Sequence, residues 1–499
     1  MKYLILSIFF TLTINATTLH LSISSNPSKL NPLIATDSAS QEISGWVFDA
    51  LLAYDKDGKI EPRLAKSYHF KDDTTLIFKL KENVLWSDGK QFTSDDVIYT
   101  YNLITSPKIY TPYSSEFRYV KSVKALDKYT VEVKYKEPYF KALQTWMTDI
   151  VPKHILKLTK DIMTSSFNQH PIGTGSYTLK GFEISKDILL KANPNYFRGE
   201  PHISEIVYHF MPDPSTQFLM LRSHKLDVGS LTPLQIERQL DDDFKRYYTI
   251  YEKISQSYTY LGFNLKNPKF QDPRVRKALS LAIDRQELVD ILFFGHGQVC
   301  NGPFMPGTFA YNDQIKAPKP NIQKAKALLK EAGYDDKHPF TFEIVTNSNN
   351  DTRVYATQII QHQLAKAGVI VNIRTMEWQA FLNTVVMPKN FEAFILGWGL
   401  GLMPDAYSIW HSEGSKKGGF NFISYKNEKV DKLIKKAERT IDQKELGNIY
   451  REIYALIVHD NPYLFLYIPN SITVVNKKIQ NVSQSIIGVM HNVIDWIKP

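Results

Sequence analysis

The sequence contains a single cysteine, Cys300, among its 499 residues. One thiol cannot form a disulfide within the chain, so packing must supply the stability of the fold. A single thiol also excludes the structural zinc sites that are built from several thiolates. We therefore expect Cys300 to be a buried, packed thiol.

The sequence also lacks clusters of positive charge. Its formal net charge is +9, but the lysines and arginines are scattered and never form a run of five or six. Basic runs are typical of chains that bind nucleic acid or anionic membranes. We therefore interpret the charge as a solvated basic surface and expect no nucleic-acid partner. The length is sufficient for two or more domains.

Long apolar segments are missing beyond the N terminus, so no transmembrane helix is predicted. Residues 1–16 contain one early cation, Lys2, an apolar run from Tyr3 to Phe10, and the small residue Ala16. This pattern predicts a cleavable signal peptide. The alternative, a membrane anchor, needs about 20 apolar residues. Because no cysteine follows the run, we expect no lipobox and a soluble protein in an exported compartment, the periplasm of a Gram-negative cell.

Catalytic signatures are absent as well. The sequence has no G-x-S-x-G nucleophile elbow, no HExxH motif and no Cys–His pattern. Gly173 and Gly175 form a GxG pair, but neither a GxGxxG continuation nor a Walker lysine follows. The pair therefore predicts a close structural crossing. We expect no enzyme, no catalytic residue and no cofactor, and keep an exported hydrolase as a distant alternative.

One stretch, residues 76–101, is highly patterned. Residues 76–80 alternate between large apolar and other residues, as in a half-buried strand. Asp88-Gly89 favours a tight turn, because both residues tolerate left-handed backbone angles. Thr93 or Ser94 can then cap a helix. The local pattern predicts a strand, a turn and a capped helix.

This stretch, which reads FKLKENVLWSDGKQFTSDDVIYTY from Phe78, resembles the signature of the family 5 extracytoplasmic solute-binding proteins. These are the peptide and nickel receptors of ABC importers. Further segments resemble the same family: PRLAKSY at 62–68, PIGTGSY at 171–177, NPNYFRGEP at 193–201 and DPRVRKALSLAIDR at 272–285. Trp86 replaces the usual Phe of the signature. The resemblance extends from about residue 19 to about residue 475.

The resemblance implies an α/β, two-lobe periplasmic binding protein fold with mixed sheets, a hinge between the lobes and an extra subdomain in lobe I. The implied bounds are 17–258 plus 470–499 for lobe I, about 46–169 for its inserted subdomain, and 259–469 for lobe II. The hinge would lie near Tyr260 and Ile468. The patterns themselves predict a short helix over 43–52, and a strand–helix–strand order over 341–373 that favours an α/β lobe.

The same resemblance implies a binding module as the function. Such a protein captures short peptides in the cleft between its lobes and delivers them to a membrane permease that a separate ATPase drives. We expect it to act as a monomer. The alternative is a receptor for nickel or a metal–chelator complex, and a sensor or chaperone using the same cleft is a third class.

A peptide needs a cation for its carboxylate and an acceptor for its amino group. Arg353 resembles the arginine that dipeptide receptors of the family place on the ligand carboxylate, although a surface arginine is the alternative. Trp398 is a candidate apolar wall, with core packing as the alternative. Gly401 stands where relatives carry the aspartate that pairs with the peptide amine, and Asp405 is the remaining acid of this loop. The departure at Gly401 permits longer peptides or another ligand.

Two histidines raise the question of metal binding. Nickel receptors of the family bind a metal–chelator complex, sometimes with the help of one protein histidine. The sequence contains no HxH or HExxH cluster. We therefore predict no metal site of the protein itself and name His411 and His491 as candidate ligands only for the nickel alternative.

Overall fold

The computed structural model describes residues 17–107, 109, 111–416 and 419–499. The predicted signal peptide at 1–16 lies outside the described residues. The strands are β1 Thr18–Ile23, β2 Leu52–Tyr54, β3 Ile60–Pro62, β4 Ala65–Asp72, β5 Thr75–Leu80, β6 Val120–Asp127, β7 Thr130–Tyr135, β8 Tyr177–Phe182, β9 Asp187–Ala192, β10 Glu205–Phe210, β11 Val228–Ser230, β12 Tyr248–Ile254, β13 Ser257–Phe263, β14 Gly297–Val299, β15 Thr341–Asn347, β16 Ile370–Met376, β17 Ala393–Gly399 and β18 Tyr463–Asn476. The helices are α1 Ser38–Val47, α2 Ser94–Ile104, α3 Lys153–Leu156, α4 Pro214–Arg222, α5 Pro233–Gln239, α6 Asp242–Tyr247, α7 Pro273–Ala282, α8 Arg285–Phe293, α9 Ile322–Glu331, α10 Asp351–Ala365, α11 Trp378–Ala380, α12 Tyr407–Trp410, α13 Glu428–Arg439 and α14 Gln443–Asp460.

The signature stretch forms the predicted strand, turn and helix. β5 leads into a turn in which Gly89 has a φ of +84°, and its N–H donates to the Trp86 carbonyl at 2.8 Å. α2 then begins with a capping box between Thr93 and Asp96. His154 Nε2 lies 2.7 Å from Asp88 Oδ2, so this histidine braces the turn. The signature residues therefore have a structural role: they form the turn between β5 and α2 and the cap of that helix.

The first half of the chain forms two four-stranded sheets. The first has the order β1-β10-β9-β8, and β1 and β10 are parallel. The second is antiparallel, with the order β4-β5-β7-β6. The short ribbon of β2 and β3 precedes it in the chain.

The third sheet is built around the long strand β18, which pairs along its length with strands from the middle of the chain. Residues 463–469 of β18 pair with β13 and β14, whereas residues 470–476 pair with β12 and β11. The order continues from β13 through β17 and β15 to β16. The chain passes from one set of pairings to the other at 254–257 and at 469–470, near Tyr260 and Ile468, where the hinge is predicted. The hinge and the lobe boundaries stay predictions.

The predicted strand–helix–strand unit is present as β15, α10 and β16, with the two strands parallel. The helix predicted over 43–52 lies earlier in the chain, because α1 spans Ser38–Val47. Its start is fixed by Asp37, whose side chain accepts a hydrogen bond from Ser40 N at 2.8 Å. The prediction used the apolar positions and overlooked this cap.

The GxG pair is a close crossing. A Cβ on Gly173 would lie 1.8 Å from the Val47 carbonyl oxygen, and one on Gly175 would lie 2.3 Å from that of Trp46. Neither position has room for a side chain, so α1 packs directly on this backbone. Cys300 is buried as expected, and no helix in the described part of the chain is both long and apolar enough to cross a bilayer.

Candidate ligand site

The carboxyl ends of the parallel neighbours β15 and β17 bring Arg353 and Trp398 to the same edge of the third sheet. Arg353 lies in the first turn of α10, and its Nη1 donates to Asn347 Oδ1 at 3.1 Å. A Cβ on Gly397 would lie only 2.7 Å from Arg353 Nη2. Gly397 therefore provides the space that the guanidinium occupies.

The Arg353 guanidinium is half-buried among tyrosines. Burial lowers its pKa, which the hydroxyls of Tyr467 and Tyr260 partly offset. Among the residues that the structure describes, no carboxylate lies within ion-pair distance of Arg353. A half-buried cation without a counter-ion is suited to binding an anionic group.

Trp398 has features of both interpretations, core packing and a cavity wall. Its ring stacks on Phe422 at 5.5 Å and lies parallel to Tyr260 at 6.3 Å. It also lines a cavity of about 190 Å³, together with the loop that follows β17. The packing fixes the indole, and the half-buried side chain contributes to the cavity wall.

Gly401 lines the same cavity. A Cβ added there would meet no heavy atom closer than the Met403 carbonyl oxygen at 3.9 Å. An aspartate would therefore fit at this position. Lack of space does not explain the glycine, and the absence of the carboxylate changes the chemistry of the loop.

Asp405 is already held by the protein. Its Oδ2 lies 3.1 Å from Lys141 Nζ, and its Oδ1 accepts from Tyr407 N at 2.9 Å. Burial raises the pKa of Asp405, but the Lys141 ammonium and the Tyr407 N–H outweigh this and hold it below its usual range. Since Lys141 also lies 3.0 Å from Glu116, the lysine joins the loop to the side of the second sheet. This pairing argues against a ligand role for Asp405.

A second long-range ion pair, which sequence reasoning missed, lies next to the Lys141–Asp405 pair. Arg118 Nη2 is 2.6 Å from Glu438 Oε1, and the Tyr119 hydroxyl donates to Glu438 Oε2 at 2.7 Å. Glu438 is buried. Because its partners lie more than 300 residues away in the chain, no local pattern could have indicated them.

A second cavity, of about 400 Å³, lies on the side of the first two sheets. It is lined by Asp49, Arg63, Asp149, Tyr196 and His491, among others. A third, of about 460 Å³, opens at the carboxyl ends of β1 and β10 and shares Met490 with the second. Both are formed by the chain segments that were predicted as lobe I.

The two candidate histidines lie apart. His411 is buried against Tyr407 at 4.7 Å, and its Nδ1 accepts from Glu413 N at 3.1 Å. His491 lines the second cavity, where its Nε2 lies 3.0 Å from Ser483 Oγ. Nowhere in the described ranges do three His, Cys, Asp or Glu side chains form a group that could hold a metal ion.

Comparison with known proteins identifies the family. The family model for bacterial extracellular solute-binding proteins, family 5 (middle part), matches residues 59–420. The chain belongs to this family. The family 5 chain is 32% identical to the oligopeptide-binding protein AppA of Bacillus subtilis, over 94% of its own length and 89% of that protein.

Solved structures match the family 5 chain over nearly its whole length. AppA of Bacillus subtilis in complex with a nonapeptide has a TM-score of 0.85 at 30% identity, covering 97% of this chain and 99% of that one. NikZ of Campylobacter jejuni in complex with Ni(L-His) has a TM-score of 0.86 at 27% identity, with coverage of 97% and 100%. The α/β, two-lobe periplasmic binding protein fold is thus confirmed, and the chain is a substrate-binding protein of the ABC transporter class, not an enzyme.

Proposed function

We propose that this family 5 solute-binding protein captures a short peptide between its lobes in the periplasm and delivers it, as a monomer, to an ABC permease and its ATPase. The observation that carries this proposal is the half-buried Arg353 guanidinium, which has no carboxylate partner among the described residues. A planar guanidinium can bind a terminal carboxylate through two parallel hydrogen bonds. The nearby Trp398 face would pack against the apolar part of the ligand.

The general ligand class can be tested by a thermal-shift screen. Mature protein is first refolded to remove carried ligand and then mixed with di- to hexapeptides, free amino acids, or nickel with and without histidine. A ligand at a hundred times its Kd stabilises the folded state by about 2.7 kcal/mol. We expect stabilisation by peptides alone. Stabilisation by the nickel mixture alone would contradict the proposal.

The role of Arg353 can be tested with pairs of peptides that differ only at the C terminus. The wild type should bind a free carboxylate at least about ten-fold tighter than the amidated peptide, since a charged hydrogen-bonded pair contributes about 1.5–3 kcal/mol. Arg353→Met should lose this preference. Arg374→Met is the matched control, because Arg374 already pairs with Glu343 at 2.9 Å. An unchanged preference in Arg353→Met would remove Arg353 from the site.

A nickel–amino-acid complex is the second candidate ligand. The observation that favours it is His491, whose imidazole lines the 400 Å³ cavity and has Ser483 as its one hydrogen-bond partner within the described part of the chain. A single imidazole could complete the coordination of a chelated ion. Nickel titration in the presence of L-histidine should then give heat that His491→Gln loses and His411→Gln keeps. No heat from the wild type would exclude this candidate.

A further inference from the structure

The second cavity contains the carboxylates of Asp49 and Asp149. The chain segments that carry these residues are paired through their backbones. Ile150 N donates to the Asp49 carbonyl at 3.0 Å, and Asp149 pairs with Ala50 as an isolated β-bridge. Both aspartates line the cavity. Two chain segments far apart in sequence thus present acidic side chains to one cavity.

The hydrogen bonding of this pair is incomplete. Asp49 is 8% exposed; its Oδ1 accepts from the Tyr196 hydroxyl at 3.4 Å, whereas its Oδ2 is buried without a partner. The Asp149 side chain is half-buried and has no hydrogen-bond or ion-pair partner in the ranges that the structure describes. Buried polar atoms are normally satisfied. Asp49 Oδ2 and the Asp149 carboxylate therefore lack donors among the described residues.

Nearby cations do not provide the missing donors. The Arg63 guanidinium attracts both aspartates electrostatically, but its Nε is itself buried without a partner. Lys81 Nζ is used on the Arg63 carbonyl at 2.6 Å. Arg198 lines the cavity but is exposed, so solvent screens its charge. The interior of the cavity therefore favours a cation.

The walls of the cavity suit an organic cation. Trp46, Tyr54 and Tyr196 contribute aromatic surface, which attracts ammonium and guanidinium groups through the ring quadrupole. The volume of about 400 Å³ is far greater than the roughly 30 Å³ that one water occupies. The space thus fits a ligand end group together with its neighbouring atoms.

Tyr54, which lines the cavity, is close in the chain to a contact with the loop that contains Gly401. A Cβ on Gly58, four residues after Tyr54, would lie 2.3 Å from Ile486 Cδ1 and 3.5 Å from Leu402 Cδ1. Leu402 follows Gly401 directly. The segment that contains Tyr54 therefore approaches this loop at Gly58.

We infer that Asp149, supported by Asp49, forms a subsite for the ammonium or guanidinium group of the ligand. This inference rests on the proposed peptide function and assigns the amine end of that ligand. The cation comes either from the free N terminus of the peptide or from a basic side chain. The subsite would hold it between the two carboxylates and the aromatic walls.

The test uses mature protein and four peptides in isothermal titration. Ala-Ala-Ala and its N-acetylated form report on the N terminus, while Ala-Lys-Ala and its norleucine analogue report on a side chain. The wild type should prefer the cationic member of at least one pair by roughly ten-fold or more. Asp149→Asn and Asp49→Asn should reduce this preference to within about two-fold.

Glu61→Gln is the matched control. Glu61 lies 3.9 Å from Arg63 and belongs to the same charged cluster, but its side chain does not line the cavity. The control should keep the preference, which separates contact in the cavity from a change in net charge. Melting curves by circular dichroism verify that each variant is folded.

Several results would overturn the inference. Equal binding of both members of both pairs by the wild type would show that no cation is recognised, and an unchanged preference in both aspartate variants would place the amine elsewhere. In either case the peptide function would stand. If neither these tripeptides nor any peptide of the thermal-shift screen binds the wild type, the proposed function and the subsite fail together.

Proton release gives an independent readout. Burial raises the pKa of Asp49 and of Asp149 to about 7, although Arg63 opposes this effect. A bound cation favours the ionised carboxylates, so wild-type binding at pH 6 should release protons. Titrations in buffers of different ionisation enthalpy would detect this release, which Asp149→Asn should diminish. Of the other titratable groups at the cavity, His491, Tyr54 and Tyr196 remain in every variant.

Discussion

The role of the Lys141–Asp405 ion pair can be tested by a double-mutant cycle. The cycle distinguishes an ion pair that stabilises the fold from a carboxylate that binds the ligand. Lys141 Nζ lies between Asp405 Oδ2 at 3.1 Å and Glu116 Oε2 at 3.0 Å. The changes are Asp405→Asn, Lys141→Met and the two combined. All three are nearly isosteric, so the cycle reports mainly on charge.

The expected magnitude follows from distance and burial. At an effective dielectric constant of about 20, two unit charges 3.1 Å apart attract each other by about 5 kcal/mol. The side chains of Lys141 and Asp405 are only 10% and 26% exposed, so the loss of hydration offsets more than half of this attraction. We expect an interaction energy of about 2 kcal/mol. Lys141→Met should cost more than Asp405→Asn, about 3 against about 1 kcal/mol. Asp405 then loses its one ion-pair partner among the described residues, whereas Lys141 keeps Glu116 when Asp405 is replaced.

The assay is urea unfolding of the ligand-free mature protein, followed by tryptophan fluorescence and circular dichroism. The two probes must give coincident transitions for the free energies to be compared. Glu116→Gln with Lys141→Met is the control cycle; the Glu116 side chain is 37% exposed, so its coupling should stay below about 1 kcal/mol. A coupling energy between Lys141 and Asp405 within about 0.5 kcal/mol of zero would show that this ion pair does not stabilise the fold. If Asp405 held the ligand amine instead, Asp405→Asn would change peptide preference and leave stability unchanged.

Three further predictions concern the rest of the fold. Gly175→Ala should destabilise the protein by about 3 kcal/mol, because its Cβ would lie 2.3 Å from the Trp46 carbonyl; Gly89→Ala, with open space and a φ of +84°, should cost only about 1 kcal/mol in the same urea assay. Burial lowers the pKa of His296, but hydrogen bonds to the two glutamates that it bridges raise it on balance. The resulting stabilisation is complete below about pH 6.5 and is lost as the pH rises through the folded pKa, so the Tm difference between wild type and His296→Gln should shrink from pH 5.5 to 9, and a constant difference would contradict this. Burial raises the pKa of the Cys300 thiol to about 12, so an aromatic disulfide reagent should modify it only after unfolding, and rapid reaction of the native protein would show that the thiol is accessible.

Local sequence patterns predicted the elements whose causes are themselves local. The strand, turn and helix of the signature stretch follow from alternation, an Asp-Gly turn and a capping threonine, all within about 25 residues. The unit of β15, α10 and β16 followed from periodicity in the same way. The start of α1 was missed because the cap at Asp37 was overlooked. The lobe architecture came from the family resemblance, not from these patterns.

The candidate site was only partly accessible to such reasoning. Arg353 and Trp398 follow strands of one sheet, so their positions relative to β15 and β17 could be inferred. The partner of Asp405 is 264 residues away, and the neighbour of Asp49 is Asp149, on another segment. Long-range pairs of charged residues leave no periodic pattern in the sequence. A carboxylate that pairs with a distant lysine has the same kind of sequence neighbours as any other surface carboxylate.

The double use of β18 affects how the chain can fold. The strand completes the pairing of β12 and of β13, yet its last residue is number 476 of 499. At about 5–20 residues per second, a ribosome needs roughly 25 to 95 s to reach that point. Until then β12 and β13 lack their shared neighbour, and the closure of such distant contacts is slow. The third sheet therefore cannot be completed until synthesis is almost finished, whereas the two four-stranded sheets do not depend on β18.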